Sequence, residues 1–408
     1  MRVRSEGSLA SLRRLNRQRV IDALRSHGTI SRADIARRTG LSRSTVSSLV
    51  SDLQADGLVI EREEPGAAHG EQGGRPPILL SFDASAGVAL GIGFDHEHVR
   101  VAVADLSSTI LAERAVPIDT DHAAHEGLDV ALAMAEELLA EAGADRSRLI
   151  GAGLGLPGPV NQIDGLVGSS AILPGWVGVA AAEELRRRLD VEVIVENDAN
   201  LGALGELTYG AGRGATDMIY VKITSGIGAG LILNGRLYRG WGGMAGELGH
   251  VLVQHEGAVC RCGNRGCLET AASTPALLEM LRRSHGELTV EDMLRLAHDG
   301  DLGCRRVIAD AGRVVGSAAA MLLNVLNPER LVVGGDLAAA GDLLLDGVRE
   351  SVRRTALSAA ADGASVVAGV LGQRAEVLGA LTLVVGAAGR NLHLNHFNQP
   401  TIPGGGVP

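Results

Sequence analysis

The sequence predicts an α/β body carrying a small helical head at its N-terminus, and three observations predict it. Net charge is −10 over 408 residues, yet eleven arginines against Glu6, Asp22 and Asp34 put the first fifty residues at +8 and the remainder at −18. From Val88 onward, short apolar strands alternate with helical stretches, and the strand ends are rich in glycine. Three of the 4 cysteines fall between positions 260 and 267, which suits a metal loop better than a disulfide framework.

Composition agrees with this division. Hydrophobic residues at 46% and charged residues at 21% exclude wholesale disorder, and the length allows two or three domains with a well-buried core. With only 2 Trp, 3 Tyr and 3 Phe, the core must be aliphatic. The 56 glycines follow no collagen-like period, which directs attention to glycine loops. No run of about 18 apolar residues marks a membrane span, and no apolar stretch follows Met1–Gly7, so no secretory signal is expected. The expected compartment is the cytoplasm, with no membrane partner.

The head opens with a helix over residues 12–26, where Leu12, Leu15, Val20, Ile21 and Leu24 fall mostly on one face before His27-Gly28 ends it. Ser31 reads as the N-cap of a second, short helix, with Asp34 three residues on and Gly40 as its stop. A third helix starts at Ser42, and its Val46, Leu49, Val50 and Leu53 keep the i, i+3, i+4, i+7 spacing. Arg43, Ser44, Thr45, Ser47 and Ser48 lie on its other faces near the N-terminal end, the positions from which a helix-turn-helix reads base edges and phosphates. Arginine can bond guanine bidentately, while serine and threonine serve either role. Two strands, in Leu58–Glu63 and Arg75–Leu80, flank a glycine-rich stretch and describe a wing; Arg75 at its tip can enter a minor groove. Residues 1–82 thus predict a winged helix-turn-helix that binds DNA. A solvated basic tail and a three-helix domain that binds protein are the alternatives.

In the body, candidate strands are Val88–Phe94, His98–Leu106, Leu149–Leu156, Val191–Asn197, Met218–Thr224, Ala229–Gly235 and Arg330–Asp336. Long apolar helices lie between them, for example Leu128–Ala142 and Val307–Leu326. Such alternation places ligands at the strand C-termini. There, Gly153–Pro159 lets a ligand approach the backbone closely. Glu196-Asn197-Asp198 follows a strand and opens a helix, so Asp198 is either a base or sugar acceptor or simply a helix cap. Thr224–Gly230 is either a phosphate cradle or a plain hairpin turn, and Gly334-Gly335-Asp336 is equally open.

The most specific signal is Gly246-Glu247-Leu248-Gly249-His250 followed by Cys260, Cys262 and Cys267. One imidazole and three thiolates make a closed structural zinc set of His250, Cys260, Cys262 and Cys267. A redox pair is the rival reading. His255 also lies between the ligands; His250 is preferred because Glu247 three residues earlier joins it to a polar site. Cys304 sits on a helix and is expected in the core.

Together, the Gly-Arg-Pro of the wing, these loops and the Cys-x-Cys-Gly-x-x-Gly-Cys-x-Glu string at Cys260–Glu269 resemble the ROK family of repressors, open reading frames and sugar kinases. The resemblance covers essentially the whole chain. It implies a two-lobed, actin-like and ribonuclease-H-like sugar-kinase fold behind the winged helix-turn-helix. Lobe 1 would span 83–200 and lobe 2 with the zinc loop 201–370. A C-terminal helix at 371–390 would return to lobe 1, ahead of a disordered tail at 391–408. It also implies that Asn197, Asp198, Glu247, His250 and Glu269 face a sugar, with Asp198 at the kinase-base position and His250 ligating zinc through one ring nitrogen. Zinc would then orient the sugar site rather than do chemistry.

Two departures from the family's kinases matter. Where they carry Asp-x-Gly-Gly-Thr, this chain has Gly91-Ile92-Gly93-Phe94-Asp95. The bulky Phe94 and the Asp95 carboxylate are expected to obstruct and repel ATP phosphates. Ile172 stands where kinases often have Asn before Leu-Pro-Gly-Trp. The expected function is therefore a sugar-responsive transcriptional regulator, a repressor of carbohydrate uptake or metabolism genes without catalytic residues. Its partners would be operator DNA, a sugar or sugar phosphate, and a second copy of itself in a homodimer or higher oligomer. The alternatives are an ATP-dependent sugar kinase with a DNA-binding extension and a constitutive DNA binder under partner control.

Overall fold

A computed structural model of the chain describes residues 12–13, 16–17, 19–21, 23–24, 27–55, 57–62, 78–161 and 172–391, with the backbone alone for 388–391. It divides into two compact units, residues 1–86 with 385–408, and residues 87–384.

In the first unit the described residues from Leu12 to His27 are helical, and Val20, Ile21 and Leu24 are buried. Leu12, expected on that apolar face, is instead 53% exposed, at the N-terminal end of the described helical residues; Leu15 lies outside the described residues. Helix Arg32–Thr39 is capped by Ser31, whose Oγ accepts from the Asp34 N–H at 3.2 Å, and it ends at Gly40 with φ 70°. Ser42 Oγ accepts from the Thr45 N–H at 3.1 Å ahead of helix Arg43–Ala55. Val46, Leu49, Val50 and Leu53 of that helix are buried, as their spacing requires. Strands β1 (Thr29–Ser31), β2 (Val59–Arg62) and β3 (Leu79–Phe82) form an antiparallel sheet in the order β1-β3-β2. The two wing strands are thus joined by a third, too short to show a period. The wing tip, with Gly73, Gly74 and Arg75, lies outside the described residues.

The second unit holds two sheets of the same design. The first contains β4 (Val88–Phe94), β5 (His98–Asp105), β6 (Ile110–Pro117), β7 (Leu149–Leu156) and β8 (Val193–Asn197), in the order β6-β5-β4-β7-β8. The second contains β9 (Met218–Ile223), β10 (Ile227–Leu233), β11 (Arg236–Tyr238), β12 (Arg330–Gly334) and β13 (Ser365–Ala368), in the order β11-β10-β9-β12-β13. Each is an antiparallel three-strand meander extended by two parallel strands. This internal duplication is invisible in the sequence.

Helix Ala124–Glu141 covers the first sheet and buries Leu128, Ala131, Ala135 and Leu138. In the second lobe, helix Leu302–Leu326 buries Ile308, Val315, Ala319 and Leu323, and Cys304 lies in the same core, as expected. By length and composition this is the one helix among the described residues able to cross a membrane; half of it is buried inside the protein. Helix Ala375–Asn391 rests on the first sheet through Val377, Ala380, Leu381 and Val384. A Cβ at Gly91 would stand 2.9 Å from the Val377 carbonyl oxygen, and one at Gly153 would stand 2.7 Å from that of Ala380. Glycine is required at both strand positions for helix and sheet to meet.

Candidate functional site

Strand β8 delivers Asn197 and Asp198 to the cleft. Asn197 is the cap of helix Asp198–Tyr209: its Oδ1 accepts from the Asn200 N–H at 3.1 Å while its Nδ2 donates to the Gly158 carbonyl at 3.1 Å. Since Asn197 fills the capping role, Asp198 is free to face the cavity. Its Oδ1 accepts from the Ala199 N–H at 2.7 Å, and its Oδ2 accepts from Lys222 Nζ at 2.7 Å.

A small cavity of about 50 Å³ is lined by Asn197, Asp198, Glu247, His250 and Glu269 together. Pro157, Gly158, Ile172, His96, Arg261, Lys222 and Thr224 are among its other walls. Burial, reinforced by Asp198 and Glu269, pushes the Glu247 carboxyl up to about 7. Near neutral pH it can thus donate to a ligand hydroxyl as well as accept from one. Arg261 Nε lies 3.2 Å from Glu269 Oε1. Beside the cavity, Glu196 is almost wholly buried and paired with Arg239, and its Oε1 accepts from Asn200 Nδ2 at 2.9 Å.

The imidazole of His250 faces two ways. Its Nδ1 stands 3.6 Å from Cys260 Sγ, and its Nε2 stands 3.9 Å from Glu247 Oε2. Cys262 and Cys267 have their sulfurs 3.7 Å apart, and the four donor atoms of His250, Cys260, Cys262 and Cys267 all lie within 4.8 Å of one another. A tetrahedral ion with Zn–S bonds of about 2.3 Å needs sulfurs roughly 3.8 Å apart, so the donor set fits. Burial pushes the Cys267 thiol up to about 12, a cost that a bound cation removes. His255 is not part of the cluster. Gly266, with φ 71°, brings the loop against the Gln254 carbonyl, where a Cβ would clash at 1.6 Å.

A second, larger cavity of about 630 Å³ has Gly93, Asp95, Tyr220, Asp336, Gln373 and Glu376 among its walls. Phe94 does not obstruct it. Alternation along β4 turns this side chain into the core, where its ring meets Trp176 edge to face at 5.2 Å. What stands at the cavity is the Asp95 carboxylate, whose Oδ1 accepts from the His98 and Glu97 N–H groups at 2.6 and 2.8 Å. The Asp336 carboxyl is pushed up by burial. Of Thr224–Gly230, only Thr224, Ser225 and Gly226 form the turn between β9 and β10; the rest is strand. Lys222 and Thr224 line both cavities.

On the first unit, Arg43, Ser44, Ser47 and Ser48 are exposed and Thr45 is half-buried. Ser44 and Thr45 hydroxyls bond Ser42 Oγ at 2.9 and 2.8 Å. With Ser48 they line a surface groove beside Leu12, Arg13 and Asn16. Sequence reasoning missed Lys222, Glu376 and His96, which sit in a strand, a helix and a loop and carry no motif, and it gave no role to Arg261, the variable position of the Cys-x-Cys string. The lone lysine within an apolar strand was the one readable signal.

A winged helix-turn-helix ahead of a two-lobed, kinase-like body whose cleft gathers sugar-type polar groups is the build of a sugar-responsive DNA-binding regulator. Residues 88–387 match the ROK family and residues 17–68 the MarR family. The chain belongs to the ROK family. It is 30% identical over 374 residues to the xylose repressor of Bacillus subtilis strain 168, covering 92% of this chain and 96% of that one. It is also 30% identical over 404 residues to the DNA-binding transcriptional dual regulator NagC of Escherichia coli K12, covering 96% and 97%. Among solved structures, a ROK family transcriptional regulator homologous to the E. coli MLC protein matches with a TM-score of 0.79 at 26% identity, over 93% of this chain and 97% of that one. This chain stands with the regulators of its family rather than with its enzymes.

Proposed function

We propose that this protein represses carbohydrate uptake or metabolism genes and is released from, or tightened on, its operator by a sugar bound in the small cavity. The observation that carries the reading is the convergence of Asn197, Asp198, Glu247, His250 and Glu269 on that one cavity. Carboxylates and an amide accept from and donate to sugar hydroxyls, and the relative named as a xylose repressor supports a sugar ligand. Differential affinity for two lobe arrangements is what lets such a ligand act on DNA binding.

In this reading His250, Cys260, Cys262 and Cys267 hold zinc. The ion supplies a fixed anchor that orients the His250 ring, leaving Nε2 to face Glu247 and the sugar. Arg43, Ser44, Thr45, Ser47 and Ser48 meet base edges and phosphates in the major groove, and Arg75 reaches the minor groove. Two copies bind a two-fold operator in the cytoplasm. The domain limits are those of a head at 1–82, lobes at 83–200 and 201–370, and a returning helix at 371–390.

Phosphoryl transfer is disfavoured by chain packing. A carboxylate at position 91 has no room against Val377, and Asp95 puts negative charge where phosphates would sit. Calorimetric titration of the full chain with D-xylose, D-glucose and N-acetylglucosamine, with and without ATP, tests the reading. One sugar should bind and emerge unchanged. ATP-dependent appearance of its phosphate ester would sink the proposal.

A further inference from the structure

Lys222 stands out because a lysine inside a strand is 4% exposed and has no role in the site as described so far. It belongs to β9, on the same face as Tyr220, whose ring packs against Gly202 of the helix that begins at Asp198. From there its ammonium donates to Asp198 Oδ2 at 2.7 Å and also pairs with Glu376 Oε1. Burial alone would push its pKa down, but the two carboxylates override this and hold the ammonium charged well above the ordinary lysine range. The three groups come from three elements: β9 of the second lobe, the helix after β8, and helix Ala375–Asn391, which lies on the first sheet.

Geometry assigns a division of labour within this triad. Asp198 lines the small cavity and not the large one, Glu376 the large cavity and not the small one, and Lys222 lines both. A free carboxylate at Asp198 could turn its oxygens either way, toward the cleft or toward the neighbouring backbone. With Oδ1 fixed by the Ala199 N–H and Oδ2 fixed by Lys222, its plane is set. The remaining lone pairs of both oxygens are acceptor sites that need no reorganisation when a hydroxyl arrives.

We propose that Lys222 is a positioning residue of the effector site: anchored by Glu376, it holds the Asp198 carboxylate as an oriented acceptor for a hydroxyl of the sugar. The assignment rests on the small cavity being the effector site. It adds a residue that touches Asp198 from the far side and a second, Glu376, that acts only through Lys222. Buried charges of this kind act as a unit, so removing one leaves the others unpaired.

The test is a double-mutant cycle on the full chain, reading the affinity for D-xylose, D-glucose and N-acetylglucosamine in turn by calorimetry. Lys222→Met should weaken binding of the sugar that the unaltered protein takes by about ten-fold, and Glu376→Gln by about three-fold. In the Lys222→Met background, Glu376→Gln should then change affinity less than about two-fold, because the group it acts through is gone. Independent losses that multiply would overturn the proposal, as would unaltered affinity in Lys222→Met. Thermal melting of the same variants and of Asp198→Asn supplies a readout without ligand. Lys222→Met should lower the midpoint clearly, and Asp198→Asn should recover most of that loss when combined with it. Additive midpoints would overturn the coupling. Should the unaltered protein take none of the three sugars while the melting cycle shows coupling, the effector reading fails and the ionic triad stands.

Discussion

The two cavities of the body share a wall at Lys222 and Thr224 yet differ in what they can do. The small one brings together every polar side chain that the motifs assign to a sugar. The large one is lined by Gly93 and by the carboxylates of Asp95, Asp336 and Glu376, and Gly91 behind it is packed against Val377 and Leu381. Binding and transfer are thus separable properties of one cleft. Recognition needs a few convergent hydrogen-bonding groups, whereas transfer also needs a charge-neutralising environment for phosphate. A chain can lose the second while the first stays intact.

The comparison breaks most visibly at the metal loop. Cys262→Ser should drop zinc content from about one ion per chain to near zero by elemental analysis, since three donors no longer close the site. It should also abolish any sugar-dependent change in operator affinity, because His250 loses its anchor. Full metal retention would mean that the ligand set is wrong.

Next in size is Gly91→Asp, which restores the kinase-type carboxylate by sequence. A Cβ there would lie 2.8 Å from Val377 Cγ2 and 3.1 Å from Leu381 Cγ. Overpacking together with a buried charge should cost about 3 kcal/mol or more in a denaturant melt, with no gain of sugar phosphorylation. A stable variant that phosphorylates sugar would show that the two cavities differ less than their packing suggests.

Asp198→Asn tests the small cavity alone. Hydrogen bonds to charged groups contribute about 1.5–3 kcal/mol, so sugar affinity should fall roughly ten- to hundred-fold. Operator binding without sugar should be unchanged in an anisotropy titration. The smallest expected effect lies in the first unit: Arg43→Ala should weaken operator binding by about 1–3 kcal/mol and relax sequence preference at one position. Loss of affinity without change in preference would reassign Arg43 to a phosphate.

Much of this was legible in the residues. Val88–Phe94 and Leu149–Leu156 were read to the residue because strands buried on both faces appear as unbroken apolar runs. Ile110–Pro117 was not, because it is an edge strand with Glu113 and Arg114 and no clean alternation. The His250–Cys267 cluster was readable because its four candidate donors fall within eighteen positions of sequence. Lys222 and Glu376 were not, being 154 positions apart and joined only by the packing of a helix onto the cleft. The obstruction assigned to Phe94 was misplaced for a related reason. Residue type suggested bulk in the cavity, but strand alternation decides which way bulk points, and Phe94 points into the core.

The central claim, that the small cavity controls DNA binding, is tested most directly by fluorescence anisotropy. The full chain would be titrated onto DNA from its own promoter region at one fixed salt concentration, with each sugar of a panel present in turn. The account predicts specific binding that one sugar releases or tightens while the others leave it alone, with the response absent in Asp198→Asn. Specific binding that no sugar alters, in either protein, would contradict it.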